Sequence, residues 1–189
     1  MKLSEEAVCW LVRQKTVQED DKELYVFAIE RIILKGVPFL IGIVFGIILE
    51  CVPETLLFET IFLELRSITG GYHMKSKRLC LISSSLIILC CVYLISQSIV
   101  MGKWMLLIIL CMAVFIMYNS PIENENKPLS VDEKTRQRVR TRIIVSGLLI
   151  GIIGFSSMNE TRFVTSIYFA IVVIGAALFP AVIKSKMKK

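Results

Sequence analysis

The chain has a single histidine, His73, and only three aspartates, Asp20, Asp21 and Asp132. Zinc needs three or four protein ligands, and one histidine cannot build the His-Glu-x-x-His pattern of a metalloprotease. All three aspartates lie in polar segments, so the embedded pair that an aspartyl intramembrane protease uses is missing. No Gly-x-Ser-x-Gly occurs, which removes the signature of a serine elbow. There is no repeat of 20–50 residues and no polar stretch large enough to fold alone. The first 24 residues hold Glu5, Glu6, Glu19, Asp20, Asp21 and Glu23 in place of an apolar signal region, so no cleavable signal is expected.

What is abundant is apolar surface. The 189 residues are 55% hydrophobic, with a mean hydropathy of +0.69. A soluble domain of 21.4 kDa could not enclose that much, because small proteins expose a large share of their residues. The apolar residues are also segregated into runs, and those at 100–118 and 163–183 approach the ~20 residues that cross a bilayer. Spans are expected near 28–49, 54–67, 79–97, 103–118, 143–158 and 163–183. The fold class is therefore all-α: a single integral membrane bundle over residues 1–189, with six transmembrane or partly embedded helices. A short amphipathic helix at 3–15 precedes it, with Ser4 as its N-cap and Trp10 on a membrane surface.

The net charge of +6 is explained by topology, not by nucleic acid. With both termini inside, 20 of the 22 lysines and arginines fall on the cytoplasmic side, and only Lys103 and Arg162 fall outside. The positive-inside rule favours that orientation in a plasma membrane. The N-terminal segment 1–24, the segment 66–80, a basic loop at 119–142 and the lysine-rich tail 184–189 then all face the cytoplasm. Cys9 and Cys80 should stay reduced there, and Cys90, Cys91 and Cys111 fall in apolar spans where cysteine acts as a small hydrophobe. The 54–67 span stands apart, because it carries Glu59 and Glu64, and carboxylates at membrane depth face protein or a wet cavity.

Chemistry concentrates at 66–80. His73 precedes Cys80 by seven positions, in a polar gap between two spans. A cysteine attacks as thiolate, and the start of a helix with Lys77 and Arg78 beside it favours that charge. His73 can act as base and return the proton to a leaving group. The two share a face if the intervening chain is helical; otherwise the Gly70-Gly71 turn must fold His73 back. No metal or other cofactor is expected.

Arg66-x4-Gly71-x-His73-x2-Ser76-x3-Cys80 resembles the active-site region of the accessory gene regulator protein B family. Tyr118-Asn119-Ser120-Pro121 and Asn126-Lys127-Pro128-Leu129 are similar to the loop after that family's fourth span, and length, hydrophobic segments and basic tail agree over nearly the whole chain. The resemblance implies a membrane cysteine endopeptidase of peptide quorum sensing, with His73 and Cys80 as the catalytic pair. Its implied substrate is a short precursor peptide with an amphipathic N-terminus and an acidic C-terminal tail. Cys80 would release the tail and hold the signal segment as a thioester, which an internal Cys or Ser closes into a thiolactone or lactone. Arg66 would hold a substrate carboxylate or orient the site, or else snorkel at the membrane edge. Lys77 and Arg78 would add to a basic rim that attracts the tail. Gly71 would serve the backbone turn, and Ser76 either donates to an oxyanion or caps a helix. The acid that orients His73 is open among Glu64, Glu59 and Glu123. A homodimer is implied, with Ser83–Ser85 or the glycines of the fifth span as close-packing surfaces. The alternative is a non-enzymatic transporter or membrane partner subunit, in which Glu59 and Glu64 line a pathway and His73 gates it.

Overall fold

A computed structural model of the protein describes residues 2–70, 76–100, 102–122 and 130–187. The described residues form seven α-helices: α1 (Lys2–Arg13), α2 (Lys22–Ile48), α3 (Val52–Thr69), α4 (Lys77–Ser96), α5 (Lys103–Asn119), α6 (Val131–Ser157) and α7 (Thr161–Met187). The expected all-helical membrane bundle is what forms. By length and composition, four stretches can cross a membrane: Glu19–Ile48, Arg78–Ser96, Val131–Ser157 and Thr161–Lys184. Lys103–Asn119 is apolar but shorter. Helix α3 has 18 residues, about 27 Å at helical rise. It is the element that composition alone would not send into lipid, since Glu54, Glu59, Glu64 and Arg66 lie along it.

The bundle resolves much of that conflict by burying most of α3 and leaving one stripe, from Pro53 to Ser67, exposed. The helix packs against α7, α2, α6 and α4, and Phe58, Leu65, Glu59 and Thr55 are buried. Helix α7 forms the other half of the core, with Ile167, Ile171, Ile174 and Leu178 buried. The approach of α2 to α3 depends on Gly42 and Gly46, one helical turn apart. A Cβ at Gly46 would meet Thr55 Oγ1 at 2.8 Å, and one at Gly42 would collide with the Glu59 carboxyl and press on an Ile88 methyl at 2.7 Å. Small residues four apart allow this backbone approach in membranes, where packing supplies much of the association energy.

Each end of the bundle is tied separately. At one end the Ile122 amide donates to the Thr69 carbonyl at 3.0 Å, and the Ser120 and Thr141 hydroxyls lie 3.3 Å apart. Gly70 caps α3 there with φ +73°, and the Ile122 carbonyl occupies the place a Cβ would take. At the other end Arg162 donates to Ser98 Oγ at 2.9 Å and to the Glu50 carbonyl at 3.2 Å. Arg162, one of the two basic residues expected outside, lies in the first turn of α7, and these bonds join that helix start to the α2–α3 and α4–α5 turns.

Two expectations change. The polar stretch 119–142 is not one loop, because α6 begins at Val131 and its first three turns carry the basic run. A capping box starts it: Ser130 Oγ accepts from the Glu133 amide at 3.2 Å while the Glu133 carboxylate accepts from the Ser130 amide at 2.9 Å. Ser4 is not an N-cap, since α1 runs from Lys2 and Ser4 is buried within it. Val8 is buried as well, whereas Trp10 is exposed, as a residue on a membrane surface would be.

If Glu59 fills the notch at Gly42, the two positions must be coupled. Gly42→Ala is expected to cost about 1–3 kcal/mol by overpacking, and clearly less in a Glu59→Ala background. Unfolding in mixed micelles measures both; an unchanged cost would disprove the coupling.

Candidate active site

Helix geometry decides which residues of α3 can meet which neighbours. Successive residues turn by about 100°, so Glu64 and Arg66 point about 200° apart, while Glu59 and Arg66 lie within about 20° of one face. The contacts follow that division. Arg66, in the last turn of α3, is half-buried and lies close enough to Cys80 for their charges to attract. A cation there also complements the C-terminal end of the α3 dipole.

Cys80 is half-buried in the first turn of α4. Its amide already donates to the Ser76 carbonyl at 3.1 Å, so the free N–H groups of this helix start belong to Lys77, Arg78 and Leu79. Ser76 stands at the N-cap with extended φ and ψ, but its hydroxyl makes no capping bond. The thiol thus has two sources of positive potential, the α4 N-terminus and the Arg66 guanidinium. Arg78 is exposed on the same turn.

The remaining sequence candidates divide into three groups. His73, Gly71 and Glu123 lie outside the described residues, as does the side chain of Lys77. Glu64 is on the other side of α3, where both its oxygens accept from Arg140 Nη2, at 3.2 and 3.5 Å. With the side chains 59% and 49% exposed, that pair is worth at most ~1 kcal/mol. Glu59 shares the Arg66 face but sits two turns away, about 10 Å along the axis. It is 1% exposed, and neither carboxyl oxygen hydrogen-bonds a described residue.

Arg140 is the residue the sequence did not single out for Glu64. The two are 76 positions apart, and hydropathy assigns the basic run to a loop. The signal was nonetheless available: Ser130-x-x-Glu133 marks a helix start, and from there Arg136 and Arg140 fall on one face.

Arg66 and Cys80, the two ends of the Arg66–Cys80 motif, thus stand at the last turn of α3 and the first turn of α4. The family model for accessory gene regulator B matches residues 4–179. The chain belongs to the accessory gene regulator B family. No curated protein and no solved structure matches it. The accessory gene regulator B family is known for processing autoinducer peptides in quorum sensing and is associated with peptidase activity.

The attraction between Arg66 and Cys80 can be read directly. In a chain whose other cysteines are replaced by alanine, Arg66→Gln should slow alkylation of Cys80 at neutral pH on the order of fivefold, the effect of ~1 kcal/mol of charge interaction. Arg66→Lys should recover part of the rate. Equal rates in all three would show that the guanidinium does not act on the thiol.

Proposed function

We propose that this protein is a membrane cysteine endopeptidase that removes the acidic C-terminal tail of a short precursor peptide and promotes cyclisation of the remainder. The Cys80 sulfur attacks the carbonyl carbon of the bond before the tail. A C–S bond forms, the C–N bond breaks, and His73, having taken the thiol proton, returns it to the departing amine. The signal segment stays on Cys80 as a thioester. A thiol or hydroxyl within the precursor then gives its proton to His73 and attacks the same carbonyl, which releases a thiolactone or lactone and frees Cys80.

The observation that carries this reading is the placement of Cys80 in the first turn of α4 and Arg66 in the last turn of α3, near enough for their charges to attract, within a family match that spans nearly the whole chain. In this role Arg66 either receives a substrate carboxylate or orients the site. A thioester survives only where water is kept away, and a half-buried thiol between α3 and α4 meets that need. The charge asymmetry favours a site on the cytoplasmic side. There an amphipathic precursor already rests on the inner leaflet and the tail is drawn to the basic rim. The enzyme acts as a homodimer in this proposal.

Cys80→Ala and Cys80→Ser should both abolish release of the tail from a co-expressed precursor while the protein remains in the membrane. The measurement is the precursor's mass before and after. Unchanged processing by either variant would sink the enzyme reading in favour of a transporter or partner subunit.

A further inference from the structure

The face of α3 opposite Arg66 carries a feature that peptide cleavage does not use. Between α3 and α6 lies an open cavity of about 730 Å³. Thr60, Ile61 and Glu64 line one wall; Arg136, Val139, Arg140 and Ile143 are among those that line the other. Its composition is graded along α6. Arg136 and Arg140 stand at one end, Ile143 and Ile144 at the other, and Arg142 is the last charged residue of the helix. From Arg136 to Ile144 is about 12 Å of helix, the distance from a bilayer's headgroup layer into its hydrocarbon. The groove opens outward, with Ile143 66% exposed.

We propose that this groove is a binding site for an anionic phospholipid of the leaflet at this end of the bundle, with the phosphate on Arg136 and Arg140 and an acyl chain along Val139, Ile143 and Ile61. Basic pockets between membrane helices bind such headgroups. The two arginines less Glu64 leave one net positive charge on the lining. Arg136 is exposed and makes no hydrogen bond or ion pair with a described residue, so it is free to take the phosphate. Arg140 already holds a carboxylate, that of Glu64, which shows that its guanidinium faces the groove. The acidic tail of a peptide substrate is the poorer occupant, because the groove runs into apolar side chains below Arg140 and lies across α3 from Cys80. The proposal does not depend on the peptidase reading.

The test uses the full chain with Trp10→Phe and Trp104→Phe and a single reporter, Val139→Trp, in phosphatidylcholine bilayers. Part of the lipid is replaced by phosphatidylglycerol or phosphatidylcholine brominated on the acyl chain, and quenching of the reporter is measured. Brominated phosphatidylglycerol should quench at an approximately fivefold lower mole fraction, the preference one net surface charge supports. Arg136→Gln with Arg140→Gln should equalise the two lipids while quenching by brominated phosphatidylcholine is unchanged, which shows that the groove persists. Arg136→Gln alone, which breaks no ion pair, should reduce the preference. Equal quenching in the parent chain, or a preference that survives both substitutions, overturns the proposal. So does a preference erased by inorganic phosphate at matched ionic strength, which would assign the arginines to free phosphate. Displacement of the brominated lipid by a soluble acidic peptide would make the groove a peptide site and overturn it as well.

Discussion

Four charged side chains on the eighteen residues of α3 set the terms for the rest of the bundle. A charge at membrane depth is costly, so it faces protein or a water-filled space. Helix α3 therefore packs most of its surface against α2, α4, α6 and α7 and leaves exposed the stripe Pro53, Leu56, Thr60, Glu64 and Ser67. That packing has its own requirement, that a carboxyl group fit between helix backbones. Gly42 meets this requirement by leaving the space that Glu59 fills. A purely apolar α3 would not need that notch, and a bulkier residue at position 42 would not allow it.

Packing also sorts the charges by face. Because residues two apart on a helix point in nearly opposite directions, Glu64 and Arg66 cannot serve the same neighbour. Arg66 meets the start of α4, where Cys80 waits; Glu64 meets the first turns of α6, where Arg140 closes on it. The same short helix thus turns one face toward the start of α4 and a paired, half-exposed face toward α6. The tie between Thr69 and Ile122 fixes the end of α3 on which both depend.

The parts of this arrangement legible in the sequence are those with a local signature. Five apolar runs mark α2, α4, α5, α6 and α7 because lipid selects them by composition, and α3 declares itself as the exception through its glutamates. The lower half of α6 was hidden because a polar helix and a polar loop have the same hydropathy. Only the Ser130–Glu133 capping box distinguishes them, through hydrogen bonds that no charge count registers. The Glu64–Arg140 pair was illegible for a deeper reason, since it joins residues 76 apart through a packing choice between two helices. Cys80 was named from its spacing to His73 and the basic helix start around it, Arg66 through the family resemblance. Their juxtaposition follows once α3 and α4 run antiparallel, which puts the last turn of one beside the first turn of the other.

That antiparallel register also accounts for where Glu59 ends up. On α3 it lies seven residues before Arg66; on α4 Ile88 lies eight after Cys80, and Ile88 and the Glu59 carboxyl converge at Gly42. The two levels are therefore linked as rungs of one helix pair. At the outer rung lie a cation and a thiol, both half-buried and near enough for their charges to attract. At the inner rung a carboxyl meets a methyl and makes no hydrogen bond to a described residue. An acid so placed is about 10 Å along the axis from Arg66. Glu59 takes part in the packing of α2, α3 and α4, where its carboxyl and the Ile88 methyl share the space that Gly42 leaves open.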